Sequence, residues 1–308
     1  MRRLGFAVTI IVLAAASLAA WSFAAPAGKP AATHAVTAVK LPKLPALPAD
    51  VKSRHRWVIG VKCDFPPFGF IDVRGHNDGY DVQIARRFTQ LAFGRDNRLS
   101  LVCVTTPSRI PTLQSSRVDM IISTLTWTQA RADVIDFSTP YYSATGRLLV
   151  PNNSSIAARR DLHGKTVVTT RGSIYATYLK NCIKDANVLE VDGTAAAVLA
   201  VKNGQADTFM FDDAFVLGVA TQDPTLKLTS DKFLNIPWGI GIRKGDSKTA
   251  AWVNIALRRM QLKNEFVGIL KANTPAKYVG AFVDNVPGPK TRFAYPVGKD
   301  PASDCSGI

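Results

Sequence analysis

Two stretches of this sequence share one pattern: TLQSSRVDMIIST at 112–124 and AVKNGQADTFMFD at 200–212. Each reads as a helix end, a tight turn, an aspartate and an apolar strand, with Asp119 matched to Asp207. The first strand exits into a threonine and the second into Asp212. Open α/β sheets bind ligands at the carboxyl ends of their strands. The shared pattern therefore predicts two similarly built lobes, each presenting polar side chains at such an edge.

Strands and helices alternate along the rest of the chain. The β-branched runs RWVIGVKC (56–63), RLSLVCVT (98–105) and KTVVTT (165–170) predict strands, and the amphipathic GYDVQIARRFTQLAF predicts a helix. Such alternation is typical of an α/β fold in which mostly parallel sheets are flanked by helices. A last helix is predicted from about Phe266 to Thr274, followed by a Pro- and Gly-rich tail that runs over the surface.

The N-terminus predicts export. Two arginines precede an apolar run at 4–20, and the small residues of WSFAAPA follow, which is typical of a signal peptide over residues 1–25. A retained membrane anchor is the alternative, but it would need about 20 apolar residues. No cysteine precedes Cys63, so we expect no lipid anchor. Residues 26–55 are rich in Ala, Pro and Lys and predict a flexible linker. The expected location is the periplasm.

The chain is strongly basic, and this restricts the kinds of molecule that we expect it to bind. The chain carries 38 Lys and Arg against 23 Asp and Glu, a net charge of +15. The sequence lacks a basic run with interleaved aromatics, so we expect no nucleic-acid binding. A solvated basic surface is the simplest interpretation, and mild steering of anionic ligands is the functional one.

Four cysteines occur in a chain bound for an oxidising compartment, so disulfides are expected. Four cysteines allow three pairings. Cys63 and Cys103 fall near the ends of predicted strands that could be neighbours, which favours Cys63–Cys103 with Cys182–Cys305. Buried free thiols remain the alternative, and the spacing matches no zinc site.

One set of polar residues suits a free α-amino acid. Its carboxylate would bind a guanidinium, whose planar fork donates two parallel hydrogen bonds, and N–H groups at a helix start. Its ammonium would bind a carboxylate with neutral acceptors. The candidates are Arg131 with Thr126, Gly172 and Ser173 at a predicted helix start, and Asp212 with Ser123 and Thr124. Because burying unpaired charges is costly, this set predicts a ligand that completes it.

Five segments in this order resemble the family 3 solute-binding proteins, periplasmic receptors of polar amino acid ABC importers: VKCDFPPFGF, GYDVQIA, RIPTLQSSRVDMIISTLTWTQARADVIDFSTPYY, LHGKTVVTTRGS and NGQADTFMFDDA. The resemblance implies a two-lobed type II periplasmic binding protein fold that closes on its ligand about a hinge. Lobe 1 is expected over 56–147 plus 243–285, lobe 2 over 148–242, and a C-terminal tail over 286–308. A monomer, an inner-membrane permease as partner, and neither cofactor nor metal are also expected.

The resemblance implies a role for each site residue. The α-carboxylate is expected on Arg131, Thr126, Gly172 and Ser173. The α-amino group is expected on Asp212, Ser123 and Thr124. Phe65 is expected to form an aromatic wall, although a place in the lobe core is an equal alternative.

The ligand's side chain depends on Lys62. Relatives that resemble glutamate and aspartate receptors carry a basic residue at this position, whereas receptors for cationic amino acids carry an aspartate. A charge-assisted hydrogen bond from Lys62 to a second carboxylate would contribute about 1–3 kcal/mol, so we expect an acidic amino acid. A surface position for Lys62 is the alternative. Ile174 stands where the family often has a hydroxyl or small residue, which leaves a non-standard ligand open.

Two other functions fit the same fold. A prephenate or arogenate dehydratase-like enzyme would need a positioned general acid, and the site segments offer Asp212 but no histidine. The second alternative is a protein that passes its ligand to a separate sensor. We expect a binding receptor rather than an enzyme.

Overall fold

The structure is a computed structural model that describes residues 40–308. The predicted signal peptide and the first part of the predicted linker lie outside these residues. The strands are β1 Trp57–Val61, β2 Asp64–Phe65, β3 Gly69–Ile71, β4 Asn77–Asp78, β5 Leu99–Cys103, β6 Met120–Ile122, β7 Ile135–Phe137, β8 Tyr142–Pro151, β9 Thr166–Thr170, β10 Asn187–Val191, β11 Thr208–Asp212, β12 Leu226–Leu228, β13 Phe233–Trp238 and β14 Gly241–Arg243. The helices are α1 Ala49–Arg54, α2 Tyr80–Phe93, α3 Arg109–Gln114, α4 Gln129–Val134, α5 Ile174–Cys182, α6 Thr194–Lys202, α7 Asp213–Gln222, α8 Ser247–Leu262, α9 Glu265–Asn273 and α10 Ala276–Phe282, with 3-10 turns at Arg159–Leu162, Val283–Asn285 and Pro301–Ser303.

Lobe 1 is built on a five-stranded sheet in the order β5–β1–β6–β14–β7. Strand β1 is parallel to β5 and β6, and β14 is antiparallel to β6 and β7. Helix α2 covers this sheet with the apolar face that the sequence predicts, and Val82, Ala85 and Phe88 are fully buried. A small sheet, β2–β3–β4, lies after β1.

Lobe 2 is built on a second sheet in the order β10–β9–β11–β8–β12, with β13 also paired to β8. Strand β9 is parallel to β10 and β11, whereas β8 runs antiparallel to β11, β12 and β13. Each lobe therefore has a parallel three-stranded part with antiparallel strands added at one side. This is the mixed α/β architecture that the strand and helix alternation predicts.

The two matched aspartates have the same structural role. Asp119 accepts a hydrogen bond from the backbone N–H of Val58 in β1 at 2.9 Å. Asp207 accepts one from the backbone N–H of Thr166 in β9 at 2.7 Å. Each carboxylate thus holds the start of the neighbouring parallel strand, which explains why both copies of the pattern place an aspartate directly before their strand.

The chain passes between the lobes through two adjacent segments, 138–141 and 239–240. This corrects the boundaries expected at 147/148 and 242/243, because β8 lies wholly in the sheet of lobe 2 and β14 wholly in the sheet of lobe 1. The backbone N–H of Ser138 donates to the carbonyl of Ile240, and that of Ile240 donates to Ser138 Oγ, both at 3.0 Å. The rings of Tyr142 and Trp238 stack with centroids 4.5 Å apart where the segments enter lobe 2. These paired crossings are the connection about which the lobes can move.

The second half of the predicted flexible linker is ordered, which corrects that prediction for residues 40–55. Val51 in α1 is 2% exposed, and Arg54 forms an ion pair with Asp119 at 2.7 Å. Leu44 and Leu47 pack against the core. The sequence concealed this packing because the segment is rich in proline and lacks aromatics and periodicity, and its partners lie far away in the chain.

The C-terminal region also differs from the prediction. The expected last helix corresponds to α9, but α10 follows it directly after Pro275. Proline ends one helix yet suits the start of the next, because its fixed φ matches the helix entrance. None of the helices formed by residues 40–308 is both long and apolar enough to span a membrane.

Both favoured disulfides are present, so that prediction is confirmed. Cys63–Cys103 has a Cα–Cα distance of 5.6 Å and joins the ends of the parallel neighbours β1 and β5. Cys182–Cys305 has a Cα–Cα distance of 5.2 Å and joins the end of α5 to the C-terminal tail.

The core of lobe 1 makes a testable prediction about Trp252. This side chain is 1% exposed, and its ring lies 5.2 Å from that of Trp57 and 5.5 Å from that of Phe88. Trp252→Ala should lower the free energy of unfolding by about 3–5 kcal/mol, because it leaves a cavity. Lys248→Ala, at an exposed position of the same helix, should change it by less than about 0.5 kcal/mol. Equal urea midpoints for the two variants would contradict this packing.

Candidate functional site

A narrow cavity of about 10 Å³, room for about one water molecule, lies between the lobes, where the carboxyl ends of both sheets meet. The residues that line it follow β5, β6 and β9, end β11, or belong to the helices next to those strands. They are Thr106, Arg109, Thr124, Thr126 and Arg131 from lobe 1, and Ser173, Ile174, Tyr175, Phe211 and Asp212 from lobe 2. Both signs of charge therefore face one small space.

The guanidinium of Arg131 contacts both lobes. Nη1 donates to the carbonyl of Thr126 at 2.6 Å, and Nη2 donates across the cleft to the carbonyl of Gly172 at 2.9 Å. Burial lowers the pKa of Arg131 to about 10, with the charges of Asp212 and Asp300 opposing this effect. The group remains a cation at neutral pH.

Gly172 allows the lobes to approach each other closely. Its φ of +71° lies in the left-handed region, where glycine carries no steric penalty. A Cβ at this position would lie 3.3 Å from Pro107 Cα of lobe 1. Ser173 follows as the N-cap residue of α5, and its hydroxyl lies 3.0 Å from Thr169 Oγ1.

Asp212 supplies the negative charge of the cavity. It ends β11, and its Oδ1 accepts a hydrogen bond from the Tyr175 hydroxyl at 2.7 Å. Burial raises the pKa of Asp212 to about 7, while this hydrogen bond and the charges of Arg109 and Arg131 act in the opposite direction. A cationic group entering the cavity would favour the ionised carboxylate.

A buried network fixes the backbone after β6. Thr124 has a φ of +49°, a conformation that costs a non-glycine residue about 1–3 kcal/mol. Its N–H donates to Asp81 Oδ2 at 2.9 Å and lies 3.2 Å from the Tyr141 hydroxyl. Arg109 Nη1 donates to the carbonyls of Ser123 and Thr124 at 2.7 and 3.2 Å. The network therefore stabilises the strained residue and orients Arg109.

Arg109 brings a second guanidinium to the cavity. It is 4% exposed, and within residues 40–308 its Nε and Nη2 have no hydrogen-bond acceptor. Burial lowers its pKa to about 9, and the nearby charge of Arg131 adds to this effect. Two neighbouring buried cations create a strong demand for an anion.

Lys62 lies behind the cavity wall rather than on the surface. Its side chain is 1% exposed, and Nζ lies 2.9 Å from Asp64 Oδ1. Nζ also donates to Thr106 Oγ1 at 3.2 Å, and Thr106 lines the cavity. Burial lowers the pKa of Lys62, and the Asp64 carboxylate opposes this change. The ammonium therefore already has one carboxylate partner, which the sequence argument did not include.

Five of the nine residues predicted for the site line the cavity: Thr124, Thr126, Arg131, Ser173 and Asp212. Gly172 contributes its carbonyl to Arg131. Ser123 is fully buried, and its hydroxyl has no partner within residues 40–308. Their roles toward a ligand remain predictions.

Phe65 is a correction, because it lies in the core and not on the cavity wall. It is fully buried, with its ring 5.6 Å from that of Phe211 and 5.1 Å from that of Phe215. The apolar surface of the cavity comes from Phe211 and Ile174 instead. The aromatic DFPPF segment predicts a buried ring equally well at either place.

The sequence argument missed four lining residues: Thr106, Arg109, Tyr175 and Phe211. Thr106 had a signal, since it follows the predicted strand RLSLVCVT at a sheet edge. Arg109 begins the helix after that strand and reaches the cavity only because β5 and β6 flank β1 in the sheet.

The two raised carboxyl pKa values predict how stability depends on pH. Asp81 and Asp212 both have a pKa of about 7, raised mainly by burial, so the folded state binds protons more tightly than the unfolded state. Stability of the unliganded protein should therefore fall as the pH rises from about 4 to about 7. Urea unfolding at pH 5 and pH 8 measures this difference. Asp212→Asn should make the dependence shallower, and an unchanged slope would contradict the pKa of Asp212.

Comparisons with known proteins identify relatives along most of the chain. A family model described as bacterial extracellular solute-binding proteins, family 3, matches residues 57–273. The glutamine-binding protein of Geobacillus stearothermophilus is 37% identical over 196 residues, which cover 63% of this chain and 75% of the relative. The ABC transporter glutamine-binding protein GlnH of Bacillus subtilis (strain 168) is 32% identical over 225 residues, or 72% of this chain and 82% of the relative.

A solved structure extends the similarity to the fold. The arginine-bound form of truncated ArgBP from T. maritima is 31% identical with a TM-score of 0.65, covering 68% of this chain and 99% of that one. The two-lobed fold implied by the resemblance is thereby confirmed. The chain belongs to family 3 of the bacterial extracellular solute-binding proteins, and it is a binding protein rather than an enzyme.

Proposed function

We propose that this protein is the extracytoplasmic receptor of an amino acid ABC importer and that it holds one free amino acid between its lobes. The observation that carries this proposal is the cavity in which Arg131 and Asp212 face the same space. An α-amino acid has the matching charges on adjacent groups. The names of the relatives, which are binding proteins for amino acids, support the same class of ligand.

The α-carboxylate would bind at Arg131. A guanidinium can donate two parallel hydrogen bonds to a carboxylate, and its other contacts are to the backbone carbonyls of Thr126 and Gly172. The hydroxyl of Thr126 and the start of α5 at Ser173 complete this end of the site. The ligand would thus supply the negative charge that this end of the cleft lacks.

The α-ammonium would bind at Asp212, with Ser123 and Thr124 beside it. Ionised Asp212 is a suitable partner because the arriving cation lowers its raised pKa. Tyr175 already donates to one oxygen of Asp212, which leaves the carboxylate able to accept from the ammonium. The buried Ser123 hydroxyl is a further candidate acceptor.

We infer an acidic side chain for the ligand from the balance of charge. With Asp81 protonated, as the burial of its carboxyl favours, the cations Lys62, Arg109 and Arg131 outnumber the carboxylates Asp64 and Asp212 in and directly behind the cavity wall. Since Lys62 is already paired with Asp64, the group best able to bind a second ligand carboxylate is Arg109. Lys62 then acts on the ligand only indirectly, through its hydrogen bond to Thr106 and through the electrostatic attraction of its ammonium. The argument from the sequence had assigned Lys62 a direct hydrogen bond to the ligand.

Glutamine is the second candidate. The Lys62–Asp64 pair presents both a donor and an acceptor, which suits a terminal amide as well as a carboxylate. Two relatives at 37% and 32% identity are named as glutamine-binding proteins. A neutral side chain would leave one positive charge in the cleft without a partner, and for this reason we place glutamine second.

Export, closure and delivery complete the proposal. The predicted signal peptide would direct the chain to the periplasm. The cavity seen here, with Arg131 and Gly172 hydrogen-bonded across the cleft, is too small for an amino acid, so the ligand would enter an opened cleft and stabilise a slightly wider closed arrangement. The closed monomer would then deliver its ligand to an inner-membrane permease.

The carboxylate role of Arg131 can be tested with purified protein that has been refolded to remove bound ligand. L-Glutamate and L-glutamine should raise the melting temperature of the wild-type protein, because a ligand well above its Kd stabilises by a few kcal/mol. Arg131→Ala should abolish the shift for both compounds. Arg95→Ala, at an exposed position on lobe 1, should keep it. A normal shift in Arg131→Ala would overturn the assignment.

The side-chain preference can be tested separately at Arg109 by isothermal titration calorimetry. Wild-type protein should bind L-glutamate more tightly than L-glutamine. Arg109→Gln should weaken L-glutamate binding by about 10- to 100-fold, the equivalent of one charge-assisted hydrogen bond, and affect L-glutamine less. Tighter binding of L-glutamine by the wild-type protein would replace the acidic ligand with the amide.

A further inference from the structure

The C-terminal tail begins as a part of lobe 1. Val286 is 2% exposed, so the chain is still buried where it leaves the last 3-10 turn of that lobe. Gln261 of α8 then donates from Nε2 to the carbonyls of Gly288 and Thr291, at 3.0 and 2.7 Å. The first part of the tail is therefore held by lobe 1.

Tyr295 fixes the tail at the crossing segments. Its hydroxyl donates to the carbonyl of Ser138 at 2.6 Å, and its ring stacks on Trp127 with centroids 5.7 Å apart. A Cβ at Gly239 would lie 2.0 Å from the Tyr295 hydroxyl oxygen, so only glycine at that crossing admits the ring. Gly239 of the crossing and Tyr295 of the tail are thus packed directly against each other.

The end of the tail belongs to lobe 2. Asn181 of α5 donates from Nδ2 to the carbonyl of Ala302 and to Ser303 Oγ, both at 3.0 Å. The Cys182–Cys305 disulfide joins the same helix covalently to the tail. Arg159 Nη1 adds a hydrogen bond to the carbonyl of Ser306 at 3.2 Å.

Between these two attachments the tail passes beside the carboxylate end of the proposed ligand site. Asp300 and Ala302 line an outer cavity together with Arg131, Gly172 and Ser173. The connecting residues are folded back, since the N–H of Lys299 donates to the carbonyl of Pro296 at 2.9 Å. The tail thus forms a wall next to Arg131, and its folded residues could extend if the lobes moved apart.

We propose that residues 296–305 form a covalent strap that walls the Arg131 side of the cleft and limits how far the two lobes can open. This inference rests on the proposed function, because a limit on opening matters only for a protein that opens to exchange ligand. The strap is a third connection between the lobes, besides the crossings at 138–141 and 239–240.

The length of the strap sets the limit. From Tyr295 on lobe 1 to Cys305, which the disulfide holds on lobe 2, there are ten residue steps, which span at most roughly 35 Å when fully extended. The hydrogen bonds around Ala302 alone could break during opening, whereas the disulfide at Cys305 keeps the end on lobe 2. A strap of this kind removes widely open arrangements from the unliganded ensemble, which lowers the cost of closing on a ligand.

Opening can be measured without any ligand. Nitroxide-bearing non-canonical amino acids at Val134 of lobe 1 and Leu199 of lobe 2, which are 45% and 54% exposed, report the distance between lobes and leave the native cysteines intact. In unliganded protein, Cys182→Ser with Cys305→Ser should extend the distance distribution beyond the longest wild-type distances. A distribution that superimposes on that of the wild type would overturn the proposal.

The matched control removes the other disulfide. Cys63→Ser with Cys103→Ser breaks a bond between neighbouring strands of lobe 1, so it should lower the melting temperature without lengthening the interlobe distance. An equal lengthening in this control would mean that general loss of stability opens the cleft, and the strap would be rejected.

A second variant protects the test against misfolding. An insertion of about eight Gly and Ser residues after Gly298 keeps both disulfides and only lengthens the strap. It should widen the distance distribution in the same way, and it should raise the Kd for L-glutamate by at least about threefold, since more open states compete with the closed one. An unchanged distribution in this variant would also overturn the strap.

The two proposals can fail separately. If both strap variants open more widely but neither L-glutamate nor L-glutamine binds the wild-type protein, the proposed function fails and the limit on opening stands. If a ligand binds and closes the wild-type protein while the strap variants open no further, the proposed function stands and the strap is overturned.

Discussion

The two lobes enclose more charge than they neutralise by themselves. Arg109 and Arg131 lie in a cleft with Asp212 as the facing carboxylate, and burial lowers both arginine pKa values and raises that of the aspartate. Buried charges without full partners are costly, so the arrangement is stable only with strong support from the surrounding fold. This cost explains the dense hydrogen bonding around the cleft and the demand for a charged ligand.

The support comes from backbone groups as much as from side chains. Arg109 and Arg131 donate mainly to backbone carbonyls, which satisfies part of each guanidinium without cancelling its charge. Asp81 accepts from the strained Thr124, whose left-handed conformation turns its carbonyl toward Arg109. Thr124, Asp81 and Arg109 therefore form one hydrogen-bonded unit. A substitution at any of the three should shift the position of the other two.

Three connections join the lobes, and they differ in character. The crossings at 138–141 and 239–240 hold each other through one backbone hydrogen bond and one to the Ser138 hydroxyl, and they can act as a hinge. The tail is attached to lobe 1 by packing and to lobe 2 by a disulfide, so it can limit movement but cannot guide it. Because the tail passes beside Arg131, a movement of the tail would change the shape of the cleft. The sequence suggested this segment only as a surface tail.

The alternating α/β elements, the two matched aspartates, the favoured disulfides and five of the cavity residues were all predictable from the sequence. These features depend on local periodicity, on turn residues or on the rule that strand ends share a sheet edge, all of which can be read from neighbours in the chain. The structure was needed to show that Lys62 is buried against Asp64, that Arg109 faces the cavity, that Phe65 lies in the core and that the tail passes beside Arg131. Each of these depends on which side chains share a buried space, and the packing of elements that are distant in the chain sets that environment.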